Sequence, residues 1–219
     1  MLTRILHGSI RKKLAILFIF AALPSIVLIL LTSARNRAQD IEEAKKDLRH
    51  FSWHIAETQD RTTRNIRTLL ESLATSAEVR NQDVPGCEKL FTDVLRINPL
   101  YGALHLVDPQ GNLIASGTAR KPANFSGTKH FRDALTTKSF ATGEYLIGVT
   151  LKIPVFAFGY PVLDDQGEVS AVLLSSIRLD LYRDVFNSGT FPADSFIGIC
   201  DHKGNRLYRY PDNPATPLG

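Results

Sequence analysis

From Leu14 to Leu31 every position is apolar or small, directly behind Arg11-Lys12-Lys13 and ahead of a mostly polar remainder. A helix of that length reaches about 27 Å, close to the ~30 Å hydrocarbon core of a bilayer. The charge-free stretch continues through Ala34, and Pro24 near its middle is tolerated in a membrane helix. A cleaved signal peptide has a shorter apolar core, about 7–15 residues, before a small-x-small site. Thr32-Ser33-Ala34 imitates such a site only weakly. The pattern predicts an uncleaved, single-pass signal anchor over residues 13–33, with 1–12 as a cytoplasmic tail. Arg35, Arg37, Lys45, Lys46 and Arg49 follow the span, so a raw count of basic residues does not choose a side. The compact cluster at the N-terminal edge does, and long domains translocate largely regardless of charge. The expected location is the inner membrane, with the bulk of the chain in the periplasm or otherwise outside the cytoplasm.

Between Ala38 and Arg80 there is neither proline nor glycine. Ile41, Leu48, Ile55, Thr62 and Leu69 recur every seven residues, with Ala44, Phe51, Ile66, Leu73 and Ala77 beside them. This predicts a long amphipathic stalk helix across 34–82. It packs partly on its own domain, or, in its membrane-near half, on a second copy as a homodimer. Asp83-Val84-Pro85-Gly86 is expected to break the helix. A short helix follows, with Leu90, Phe91, Val94, Leu95 and Ile97 inward, and Asn98-Pro99 ends it.

The period then changes to two. Tyr101–Val107, Asn112–Ser116, Glu144–Gly148, Pro154–Leu163 and Glu168–Ile177 read as strands, and Ser195–Cys200 with Arg206–Tyr210 reads as a hairpin. Residues 117–128 are loop-like, Lys129–Thr137 is a short helix, and Leu179–Phe186 is expected to be helical. One turn recurs at Asp108-Pro109-Gln110-Gly111, Asp164-Asp165-Gln166-Gly167 and Asp201-His202-Lys203-Gly204. The aspartate can accept from backbone two residues on, while glycine supplies a positive φ. The whole reads as an α+β chain: one lobe over 83–190, then the start of a second, incomplete unit over 191–219.

A hydrophobic content of 44% is sufficient for a packed core, and the net charge of +4 is modest. The arginines at 61, 64, 67 and 80 are interleaved with Asp60, Glu71 and Glu78, a solvated helix face rather than a nucleic-acid surface. Cys87 and Cys200 have no metal or redox spacing and are read as free thiols. His50 and His54 stand one helical turn apart without a third ligand, so no metal is expected. No Gly-x-Ser-x-Gly elbow, HExxH motif or phosphate loop occurs, so neither enzymatic activity nor a cofactor is expected. His105 reads as a structural histidine within a strand.

The order of anchor, ascending helix, short helix, Asp-x-x-Gly hairpin, helical loop and antiparallel run resembles the double Cache, PAS-like extracytoplasmic sensor domains. These belong to bacterial histidine kinases, diguanylate cyclases and chemoreceptors. The likeness is strongest at His130-Phe131-Arg132-Asp133-Ala134-Leu135 and Gly143-Glu144-Tyr145-Leu146-Ile147-Gly148. It continues at Pro154, Tyr160-Pro161-Val162, Asp164, Gly167 and Ala171-Val172-Leu173-Leu174.

The resemblance implies a membrane-distal PAS-like lobe with a ligand pocket between sheet and loop-helix, serving transmembrane signal transduction. In amino-acid-binding members an arginine two residues before the helix aromatic takes the ligand carboxylate. The matching position here is Thr128, and the aromatic is His130. The aspartate those members carry on the lobe's last strand is absent from Ser175-Ser176-Ile177. Both departures point away from an amino-acid ligand. They favour a small anion held by Lys129, His130 and Lys152, beside Phe131, with Tyr145, Phe156 and Phe158 as walls. If Phe156 and Phe158 face the loop-helix, Ala157 and Gly159 face away from it. No output domain is visible, so the chain reads as a truncated receptor or one acting through a partner. A structural stalk without a ligand, or an anchored hydrolase without a recognisable motif, are the alternatives.

Overall fold

The computed structural model describes residues 10–118, 122–148, 152–179, 196–201, 203–204 and 206–211. The chain forms two compact units, Met1–Arg61 and Thr62–Gly219. The long helix α1 (Ile10–Ala74) contributes to both.

In the first unit the consecutive side chains Leu17, Phe18, Ile19 and Phe20 are all exposed, so the helix is apolar around its circumference there. Among the described residues no helix is long and apolar enough to cross a membrane. The charge-free stretch whose side chains are described without a gap runs from Leu17 to Ile29.

The second unit begins inside the same helix. α1 stops at Ala74 rather than continuing past Arg80, because Ser76 adopts an extended conformation and caps a separate turn, α2 (Ala77–Arg80), by accepting from Val79 N. Helix α3 (Val84–Ile97) carries Pro85 and Gly86 in its first turn. The sequence reading expected those residues to break a helix; instead they open one, since proline loses nothing where the amide lacks an intrahelical partner.

A five-stranded antiparallel sheet follows, built from β1 (Tyr101–Val107), β2 (Leu113–Ser116), β3 (Ala141–Ile147), β4 (Pro154–Leu163) and β5 (Val169–Arg178). Its order is β2-β1-β5-β4-β3, with helix α4 (Lys129–Thr137) inserted between β2 and β3. Strand β3 starts at Ala141, earlier than the expected Glu144, because a bulge between Thr142 and Tyr145 interrupts the alternation. Strands β6 (Ile197–Cys200) and β7 (Arg206–Tyr210) form a separate two-stranded ribbon, and Lys203 Nζ bonds Glu144 on β3 at 2.6 Å. Beyond Leu179, the helix expected over 179–186 lies outside the described residues.

The recurrent turn folds alike in all three copies. Asp108, Asp164 and Asp201 each accept at Oδ1 from the amide two residues on, at 2.8–2.9 Å. Gly111, Gly167 and Gly204 have φ of 83°, 78° and 84°.

The sheet separates two apolar layers. α2 and α3 cover one face, where Phe91, Leu104 and Leu106 are fully buried. Arg67 of α1 lies over the Phe140 ring on that side, 5.4 Å from its centroid, and Phe140 stacks on Phe158 at 5.8 Å. α4 covers the other face, packing on β3, β4 and β5 around Val107, Phe125, Phe131, Ala134, Ala141, Val172 and Leu174.

Candidate functional site

Strand register decides which side chains meet beneath α4. His105 pairs with Leu174, and Ala103 with Ser176, which in turn pairs with Ala157. These positions share the α4 face. Together with Phe125, Thr128, His130, Leu146, Gly148 and Val155 they line a cavity of about 30 Å³. That is room for a ligand of only a few heavy atoms, since one water needs roughly 10–15 Å³ by the same measure.

His130 reaches this position because two glycines leave space for it. A Cβ on Gly143 would lie 3.0 Å from His130 Nδ1, and one on Gly159 would run into the His130 carbonyl oxygen. The ring is 4% exposed, and its Nδ1 has no hydrogen-bond partner among the described residues. Burial, reinforced by neighbouring His105, pushes His130 down to about 4, with Lys129 adding to the fall and Asp133 opposing it. His105 is also held at about 4 by burial. Its Nδ1 meets Ser116 Oγ at 3.0 Å, and its ring packs on Phe125 at 5.2 Å.

The amino end of α4 opens at the same place. Its N-cap Thr128 turns its hydroxyl to the Phe125 carbonyl, 2.8 Å away, and makes no side-chain cap. The first amides of the helix are thus left without a capping oxygen, at the end where the helix dipole favours negative charge.

Of the seven residues expected from the sequence to hold or wall the ligand, only His130 lines the cavity. Lys129 is ion-paired with Asp133 and donates to the Thr142 carbonyl at 3.3 Å. Phe131 is buried in the core cluster. Lys152 is exposed with φ of 57°, its amide bonded to the Gly148 carbonyl. Phe156 and Phe158 pair with Tyr145 and Thr142 on the opposite face, so Ala157 and Gly159 are the residues beneath α4. The alternation therefore runs opposite to the arrangement the sequence suggested: two aromatics cannot occupy positions where the α4 backbone sits directly on the strand. Thr128, Ser175 and Ser176, named from the sequence only as departures at the family's ligand positions, do line it, whereas His105 and Ala157 were missed as lining residues. The available signal was Gly143 and Gly159 inside strand patterns, which mark close backbone approach. Among the described residues no cluster of His, Cys, Asp and Glu could hold a metal ion.

No protein-family model matches the chain. Sporulation kinase D of Bacillus subtilis is 22% identical over 215 residues, 94% of this chain. The chain spans about 40% of that relative's length. Among solved structures, the extracellular domain assigned to the histidine kinase rpHK1S-Z16 superposes with a TM-score of 0.63 at 14% identity, covering 73% of this chain and 66% of that one. The ligand-binding domain of the Campylobacter jejuni chemoreceptor Tlp3, in complex with 4-methylisoleucine, gives 0.59 at 12% identity, covering 75% and 68%. The sensor domain of the V. cholerae histidine kinase DctB gives 0.56 at 20% identity, covering 80% and 67%. The α+β fold, with its long helix and antiparallel sheet, is thus that of Cache-like extracellular sensor domains of histidine kinases and chemoreceptors. These are sensor and ligand-binding domains, not catalytic ones.

Proposed function

We propose that the chain is a membrane-anchored extracytoplasmic sensor module that binds a small anion beneath α4 and takes part in transmembrane signalling. The observation that carries this reading is the buried His130, which lines a cavity at the start of α4, where the N-cap Thr128 makes no side-chain cap. An imidazole beside a helix start without a capping side chain is suited to a small anion. The likeness to Tlp3, whose domain was solved with a small ligand, supports a small-molecule role. A cavity of about 30 Å³ favours a ligand smaller than that one. Lys129 and Lys152 would act at the rim, and Phe131 behind the helix. Tyr145, Phe156 and Phe158 would act only through the sheet.

Anchoring is supported by the run Leu14–Leu31 behind Arg11-Lys12-Lys13 and by the exposed apolar circumference at residues 17–20. In this reading 83–190 is the sensing lobe, 191–219 belongs to a second unit, and exposed Ile41 and Leu48 are a stalk surface for a second copy. A thermal-shift panel of small metabolites on the full chain tests the sensing role. Stabilisation by small carboxylates supports it, and none by any compound leaves a structural stalk. A reporter fused after Gly219 should be active only when exported; cytoplasmic activity would refute the topology.

A further inference from the structure

We propose that the cavity fills with a small monoanion and a proton together, the proton being held on the His130 ring that lines it. This rests on the reading of the cavity as the ligand site.

An anion entering alone would leave water for walls formed largely by Ala103, Phe125, Leu146, Val155, Ala157 and Leu174, which offer no charge. The cation closest in sequence, Lys129, is already matched by Asp133 on its own helix. From β1, His105 faces the site with Nδ1 engaged by Ser116. β3 presents Gly143 and Leu146, β4 presents Ala157 and Gly159, and β5 presents Leu174 and Ser176. None of these titrates, and Glu144 is turned to Lys203. Lys152 is exposed and does not line the cavity, so among the described lining residues the group left to neutralise a bound anion is His130 itself.

Burial and His105 hold that ring near 4, neutral at physiological pH. An anion in contact favours the charged ring and raises that value. Between the two values, each bound anion takes one proton from solvent onto the ring. The product is a buried, neutral ion pair with a charge-assisted hydrogen bond, and the helix amides are free to meet the anion's second oxygen. The sensor would thereby report anion and acidity jointly.

Titration calorimetry of acetate and formate into the full chain tests this. It is run from pH 7.5 to 5.5 in buffers of differing ionisation enthalpy. The expected result is uptake approaching one proton per anion, with affinity rising about tenfold per pH unit. Acetamide, of similar size but neutral, should bind with no uptake, and His130→Asn should abolish the uptake. Acetate bound without proton uptake, or with uptake retained in His130→Asn, overturns the proposal and leaves the cavity as the ligand site. No binding of either acid at any pH overturns both.

Discussion

Gly159 of β4 lies directly beneath the carbonyl oxygen of His130, so that helix and strand meet backbone to backbone. Gly159 is outside the positive-φ set, so its glycine is required by space and not by conformation. Gly159→Ala should therefore cost about 1–3 kcal/mol through overpacking. It should also weaken binding of any ligand beneath α4, because His130 must move. Denaturant unfolding and a thermal-shift titration of the same variant measure the two effects. Wild-type values for both would mean that the contact does not position the helix.

Much of this architecture was legible in the chain. The Tyr101–Val107 strand and the Lys129–Thr137 helix follow from period alone, and the Asp-x-x-Gly turns follow from local chemistry. What stayed hidden was which face of β4 the helix would choose. Phe156 and Phe158 looked like pocket walls because aromatics usually line ligand sites. The bulge in β3 and the Ala157/Gly159 pair reverse that choice. Alternation fixes two faces without saying which is covered by what. Ser76 also escaped notice as a cap, since a single serine in a long periodic run reads as a surface position.

The turns differ in how much room they leave. Gly111 and Gly167 both have positive φ, but a Cβ on Gly111 would come within 2.5 Å of the Ser126 amide nitrogen, while one on Gly167 meets nothing. Gly167→Ala should cost about 1–2 kcal/mol, the left-handed penalty alone. Gly111→Ala should cost more and loosen the 122–128 segment that leads into α4. Equal losses in urea unfolding would show that the Ser126 contact yields freely.

Mild acid should destabilise the domain. His105 and His130 sit at about 4 in the fold, below the ordinary 6.5, chiefly because they are buried. As pH falls from 6.5 towards 4 the unfolded chain binds protons that the folded chain refuses. Stability is therefore full above pH 6.5 and declines below it, by up to ~1.4 kcal/mol per pH unit for each histidine. Melting temperatures between pH 7.5 and 4.5 should fall accordingly, and His130→Asn should roughly halve the slope. A flat profile would mean that neither ring is kept neutral.

The two thiols should behave oppositely. Cys87 is fully buried, donates to the Glu78 carbonyl at 3.2 Å, and is pushed up to about 11 by burial and then by Asp83, Glu78 and Glu88. Cys200 is exposed. A thiol reagent at pH 8 should modify Cys200 promptly and Cys87 only on unfolding. Prompt modification of both would contradict the packing of α3 against α2.

The central claim is that ligand lies between α4 and the Ala157 face of the sheet rather than among the aromatics behind it. The most direct measurement compares two variants, using the panel compound that most stabilises the wild type. Ala157→Leu fills the cavity, while Phe156→Leu alters the opposite face. The account expects Ala157→Leu to lose the ligand-induced thermal shift and Phe156→Leu to keep it. A full shift in Ala157→Leu, with none in Phe156→Leu, would contradict it.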